Sequence, residues 1–244
     1  MNQAKISFLG NLNDFLSPEN RNQIIEYNFK ESPSIKDVIE SLGPPHTEVE
    51  AIVSDGIKVS FAHKLKNNEN IEVFPAGEFI KANTSNILRE NLLEFRFIVD
   101  ANVGKLAKYM RMLGFDTFYD LNIHDPEIAK ISEQENRIVL TRDLGLLKRK
   151  NVTYGYFLRE TQISAQVAEV VKRYSLIDKI NAFSRCLECN GYVIAVEKAL
   201  IKEKLDPGVF NDYNEFFNCM DCNKIYWKGF HYETMLNSIK KLQD

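Results

Sequence analysis

FRFIVDANVGKLAKYMRMLGFDTFYD, residues 95–120, is the stretch whose reading decides the fold. It opens on a short continuous apolar strand, as expected of a parallel sheet buried on both faces. Residues 104–114 then follow a helical period, with Leu106, Tyr109, Met110 and Leu113 on one side. Gly114 stands where a helix of this kind stops. DTFYD, 116–120, reads as the next strand. Downstream the same grammar repeats. Asp125-Pro126-Glu127 begins the helix PEIAKISEQEN, with Pro126 at its first position. RIVLTRD (137–143) is a strand, LGLLKRK (144–150) a short helix, YGYFLR (154–159) a strand and SAQVAEVVKRYSL (164–176) a helix. Alternating strands and helices predict an α/β domain with a parallel sheet and right-handed crossovers, over residues 95–182.

Upstream the pattern differs. AKISFL (4–9) and QIIEYNF (23–29) read as strands, and IKDVIESLG follows Ser34 as a capped helix ending at Gly43. Pro44-Pro45 forbid its continuation. Asp55-Gly56, between two β-rich runs, is a strong hairpin signal. NIEVFPA closes the segment. The order β-β-α-β-β-β predicts a ubiquitin-like β-grasp over residues 1–82. The polar run KANTSN (81–86) reads as a linker.

The four cysteines, Cys186, Cys189, Cys219 and Cys222, all lie in the last quarter, as two C-x-x-C pairs 29 residues apart. Two such knuckles complete a tetrahedral thiolate site, so residues 183–235 are expected to form a zinc ribbon. With four protein ligands the site is closed and structural. His231 is a weaker alternative ligand.

Composition removes several classes. No stretch approaches the roughly 18 apolar residues of a membrane helix, and the N-terminus shows no secretory signal. A cytoplasmic location is therefore the expectation. The formal charge of −3 hides an uneven distribution: residues 83–182 hold 15 basic against 13 acidic residues, whereas residues 1–82 hold 8 against 12.

Asp100, Asp120 and Asp143 each end an expected strand, and Asp125 begins the helix after one of them. Strand C-termini of an open α/β sheet share one edge, where ligands bind. Carboxylates gathered there repel unless a hard cation, Mg²⁺ or Mn²⁺, holds them. Metal-assisted phosphodiester hydrolysis is the chemistry this set would support. A second reading stands beside it: Asp125 and Asp143 as helix caps, and Asp120 as a turn residue. Lys105, Lys108 and Arg111 recur at three-residue spacing, and Arg142 adjoins Asp143, so a polyanion wrapped over the rim would meet them. The alternative is a solvated helix face, and for Lys148-Arg149-Lys150 charges favourable to the helix dipole.

Taken in order, FIVDANVGKLAKYMRMLGFDTFYD, RIVLTRDLGLL, RCLECNG and CMDCNKIYWKGFHYETM resemble the Mut-seven C-terminal RNase family, a PIN-like nuclease domain carrying a zinc ribbon. FLGNLNDFL, SIKDVIESLGPPHTEVEAI and ENIEVFPA are similar to the ubiquitin-like domain that often precedes it, itself similar to thiamin and molybdopterin sulfur carriers. The resemblance implies a metal-dependent ribonuclease with acids at Asp100 and Asp143. Asp120, Asp125 and Glu127 are candidates for the further acid, because Asn122 and His124 stand where more acids are expected. The β-grasp lacks a terminal Gly-Gly (Glu78 follows Gly77), so docking a protein partner or positioning RNA is expected of it rather than sulfur transfer. The competing expectation is a non-catalytic RNA- or protein-binding adaptor. Aromatic residues of the ribbon (Phe216, Phe217, Tyr226, Trp227) either stack bases or form its small core.

Overall fold

Local chemistry fixes the first helix. The Ser34 hydroxyl accepts from the Asp37 N–H at 3.2 Å and donates to the Asp37 carboxylate at 2.6 Å, a reciprocal cap at the start of α1 (Ile35–Leu42). Gly43 ends it at φ 136°, where an added Cβ would lie 2.1 Å from the Phe15 carbonyl oxygen. In this computed structural model, which describes residues 1–75, 88–90 and 92–243, α1 packs on a five-stranded sheet. Its strands are β1 (Asn2–Phe8), β2 (Ile25–Phe29), β3 (Val49–Ser54), β4 (Ile57–Lys58) and β5 (Asn70–Pro75), in the order β2-β1-β5-β3-β4. β1 pairs with β5 in parallel and the other neighbours are antiparallel. Asp55 and Gly56 turn the β3–β4 hairpin, both at positive φ, which the right-handed twist of paired strands favours. Ile6, Leu12, Ile35, Ile39, Leu65 and Val73 are fully buried between sheet and helix. The expected linker 81–86, and Gly77-Glu78, lie outside the described residues.

The chain divides into two compact units. The first joins Met1–Glu94 to His124–Phe157. Its second segment holds α3 (Asp125–Glu135), β8 (Ile138–Thr141), α4 (Leu144–Leu147) and β9 (Gly155–Phe157), with β8 parallel to β9. Polar groups bind this segment to the β-grasp. The buried Glu48 carboxylate accepts from the Phe157 N–H at 2.7 Å. His46 Nε2 lies 2.8 Å from the Val152 carbonyl and must therefore carry the proton. Lys148 Nζ donates to the Glu40 carbonyl at 2.7 Å. The Arg89 guanidinium donates to the carbonyls of Thr47 and Thr153 at 3.0 and 3.2 Å.

The second unit joins Phe95–Ile123 to Leu158–Asp244. β6 (Phe97–Val99) runs parallel to β7 (Thr117–Phe118). Between them lie a 3-10 turn, Ala101–Val103, and α2 (Lys105–Met112), which packs against α5 (Ile163–Arg173). The C-terminal part is an antiparallel sheet of β10 (Val193–Val196), β11 (Phe216–Cys219) and β12 (Ile225–Trp227). α6 (Pro207–Asp212) lies in the β10–β11 connection, and α7 (Phe230–Gln243) follows β12.

The chain is thus mixed α/β, with an N-terminal sheet, a central parallel sheet with helices and a C-terminal cysteine cluster able to form a zinc ribbon. Boundaries differ from the sequence reading in places. α4 ends at Leu147 rather than 150, Asp125 rather than Pro126 is the first residue of α3, and α7 has no counterpart among the expected elements. Among the described residues no helix is long and apolar enough to cross a membrane.

Candidate metal centre and acidic strand ends

The hairpin geometry of β10–β12 gathers all four cysteines. Their sulfurs lie within 4.8 Å of one another, with Cys186 to Cys222 at 3.6 Å and Cys189 to Cys219 at 3.4 Å. A tetrahedron with Zn–S bonds of 2.3 Å has edges of about 3.8 Å, so the spacing fits. The thiols are not joined as disulfides.

The surrounding donors also fit a metal thiolate centre. Cys186 is fully buried. Burial works to raise its thiol, but the backbone N–H groups of Cys189 and Glu188 and the Tyr226 hydroxyl outweigh it and bring it down to about 7. Burial and the neighbouring sulfurs push Cys189 up to about 12. Four thiols this close resist sharing several negative charges, and a bound dication removes that conflict. Burial pushes the Tyr226 hydroxyl upward, so it stays protonated beside Cys186 Sγ at 3.1 Å. The same oxygen accepts from the Leu187 N–H at 3.1 Å. His231 is exposed and lies outside the cysteine group.

The first knuckle is fastened to α2 and β7. Arg111 is 6 % exposed. Its guanidinium donates to the carbonyls of Thr117 at 2.9 Å, Glu188 at 2.7 Å and Leu187 at 3.3 Å. Asn190, just after the knuckle, accepts from the Thr117 N–H at 2.9 Å and donates to Asp116 at 2.8 Å. Arg111 therefore departs from the expected place in an RNA-facing row. It lies in the interior, occupied by protein carbonyls. Lys105 and Lys108 of the same helix are exposed, as is Arg142.

The candidate acids occupy different local settings. Asp100, immediately after β6, is 8 % exposed, and Asn102 donates to its Oδ2 at 2.6 Å. Asp143, after β8, is exposed and caps α4, its Oδ1 accepting from Gly145 N–H at 2.6 Å. Asp120 accepts from the Asn122 N–H at 2.9 Å across a turn. Asp125 makes no helix cap, because His124 occupies the position before α3 and shows no side-chain cap bond. Asp100 and Asp120 belong to the second unit, Asp125 and Asp143 to the first. Glu127 is exposed in the first turn of α3.

Sequence reading did not assign Asn102, Asn190, Arg111 or Tyr226 to these settings. Asn190 carried a usable signal, since an Asn-Gly pair after C-x-x-C marks a left-handed turn, and its φ is 71°. Phe216 is buried core, whereas Phe217, Tyr226 and Trp227 are half-buried.

Two family models match the chain. The Mut7-C RNAse domain matches residues 95–239 and the Mut7-C ubiquitin domain residues 1–81. No curated protein and no solved structure matches it.

Proposed function

The chain belongs to the Mut7-C family, with a Mut7-C RNAse domain behind a Mut7-C ubiquitin domain, and on that premise we propose that it is a metal-dependent ribonuclease hydrolysing phosphodiester bonds. The family is nuclease-like. The observation that carries the finer reading is Asp100. Its carboxylate is more than nine-tenths buried just past the end of a parallel strand, the sheet edge at which α/β folds bind ligands, and Asn102 donates to its Oδ2 at 2.6 Å.

In this proposal Asp100, Asp143 and Asp125 supply hard oxygen ligands suited to Mg²⁺ or Mn²⁺. Such a cation lowers the pKa of bound water and offsets charge on a phosphate. Asn102 holds Asp100 Oδ2, which fixes the carboxylate's orientation. Asp143 spends Oδ1 on the α4 cap, and Oδ2 is the oxygen assigned to the cation. Asp120, two residues beyond β7, is assigned as a further acid of the site. Lys105, Lys108 and Arg142 are assigned to the RNA backbone, and the β-grasp to a protein partner. The four cysteines hold structural zinc, and the location is the cytoplasm.

The test incubates the purified protein with structured and single-stranded RNA in Mg²⁺ or Mn²⁺, beside Asp100→Asn and Asp143→Asn. Loss of cleavage by about 10²-fold or more in each variant is expected for a lost catalytic ligand. Cleavage surviving both substitutions would remove these acids from the site. The capping role of Asp143 and the turn role of Asp120 favour a second reading, an RNA- or protein-binding adaptor. RNA binding without any cleavage in either metal would select it.

A further inference from the structure

Gly104 is a glycine that its own backbone does not require. It joins the 3-10 turn after Asp100 to α2 at φ −52° and ψ −30°, an ordinary right-handed helical conformation. Alanine is intrinsically the better residue there. What the glycine spares is Tyr119. A Cβ on Gly104 would fall 2.3 Å from the Tyr119 hydroxyl oxygen, 2.5 Å from its Cζ and 2.7 Å from its Cε2, and these are the three nearest heavy atoms. The phenol therefore lies across the start of α2, in the space a side chain would fill. Tyr119 directly follows β7 as Asp100 directly follows β6, and the two strands are parallel neighbours. Asp100 is one 3-10 turn from Gly104: its carbonyl accepts from the Val103 N–H at 3.0 Å, and the Ala101 carbonyl from the Gly104 N–H at 3.2 Å. Lys105 comes next, and Lys108, four positions after Gly104, shares its helix face. Both lysines are exposed. Among the described residues the half-buried Tyr119 has no hydrogen-bond partner for its hydroxyl. A phenol seated by a glycine, with its O–H unspent, is a donor open to a ligand.

We propose that Tyr119 is a substrate-contacting residue: its hydroxyl donates to a non-bridging phosphate oxygen of the RNA strand beside Asp100, and Gly104 keeps open the space from which it does so. This contact rests on the ribonuclease reading and adds to it a neutral group that orients the phosphate. Lysines attract a strand from a distance but grip it as point charges on flexible stems. A phenol held against a helix start fixes one oxygen in place, and phosphate contacts of this kind set register without reading sequence.

The experiment compares wild type, Tyr119→Phe and Gly104→Ala as zinc-loaded full chains. Tyr119→Phe removes only an oxygen that bonds nothing in the chain, so its urea midpoint should match wild type. Gly104→Ala suits the backbone and turns the phenol aside. With labelled single-stranded RNA and no added Mg²⁺ or Mn²⁺, each variant should bind about tenfold more weakly, the scale of one hydrogen bond to a charged group. The slope of log affinity against log salt should stay as in wild type, since a neutral hydroxyl releases no counterion. A DNA strand of the same sequence should lose as much, because it carries the same phosphates. In Mg²⁺ or Mn²⁺, KM for RNA cleavage should rise with kcat held within about twofold, the pattern of a contact made equally in ground and transition states. Tyr119→Phe affinity within about twofold of wild type would overturn the contact, whether or not the wild type cleaves. A loss confined to RNA would move the bond to the ribose 2′-hydroxyl and overturn it likewise. Wild-type binding without cleavage would sink the ribonuclease reading alone, and the affinity of Tyr119→Phe would still decide the contact. A wild type that neither binds nor cleaves RNA would overturn both.

Discussion

Arg111 shows where residue-level reading of a helix goes wrong. Lys105, Lys108 and Arg111 recur every third residue, but each step of three falls about 60° short of a full turn. Two steps carry Arg111 about 120° round from Lys105, to within about 40° of Ala107 and about 60° of Lys108, and Ala107 is buried whereas both lysines are exposed. The drift was calculable, whereas the carbonyls it meets belong to a knuckle 76 and 77 positions away and were not. Glu69 is a second residue that only the fold explains. It is 4 % exposed. Burial alone would raise its carboxyl, but the Ser54 hydroxyl, the Lys66 N–H and His63 lower it below the ordinary value. A carboxyl held lower in the folded than in the unfolded chain adds stability above its unfolded value, about 4.3. That stability is lost as pH falls through the lower folded value. Glu69→Gln should therefore be less stable than wild type at neutral pH, and the gap should narrow below about pH 4. Urea midpoints measured along a pH series check this, and a gap independent of pH would refute it.

At the scale of elements, what was legible was what local chemistry determines. Ser34, Gly43 and Asp55-Gly56 bound their elements in the way their side chains or φ angles require. Gly43→Ala should cost about 2 kcal/mol or more, because its Cβ would fall 2.1 Å from the Phe15 oxygen at a φ of 136°; chemical denaturation measures it. The runs read as strands at 116–120 and after Gly56 contract to the two residues of β7 and β4, and α7 lacked the start and stop residues that would mark it. Pairings between distant elements are likewise silent in sequence. Removing zinc with a chelator should expose the amides of β10–β12 to exchange. The end of α2 should loosen with them, since the carbonyls of Met112 and Leu113 accept from the N–H groups of Phe183 and Asn181 at 2.9 and 3.1 Å. Hydrogen exchange limited to the ribbon would refute that link. In the first unit, Glu48→Ala removes the buried carboxylate that accepts from the N–H of half-buried Phe157 and should cost about 1–3 kcal/mol, read from the same denaturation curves.

For the whole molecule, chain order and compactness do not coincide. Residues 124–157 share a unit with the β-grasp, and residues 158–244 share one with 95–123. The charge distribution likewise cannot be judged from its total of −3, because the basic excess sits in residues 83–182. On the proposed function, binding of single-stranded RNA by these residues would follow counterion release. Each phosphate neutralised contributes about −0.7 to the slope of log affinity against log salt. If Lys105, Lys108 and Arg142 each meet one phosphate, their share of that slope is about −2. Lys105→Gln with Lys108→Gln should flatten it by about 1.4. Arg111→Met should leave the slope unchanged, since a buried guanidinium bound to three carbonyls releases no counterion. Fluorescence anisotropy of a labelled oligonucleotide across a salt series, on the zinc-loaded Asp100→Asn protein to prevent cleavage, measures all three slopes. Equal flattening by Arg111→Met would return that residue to the RNA-facing row from which its burial removes it.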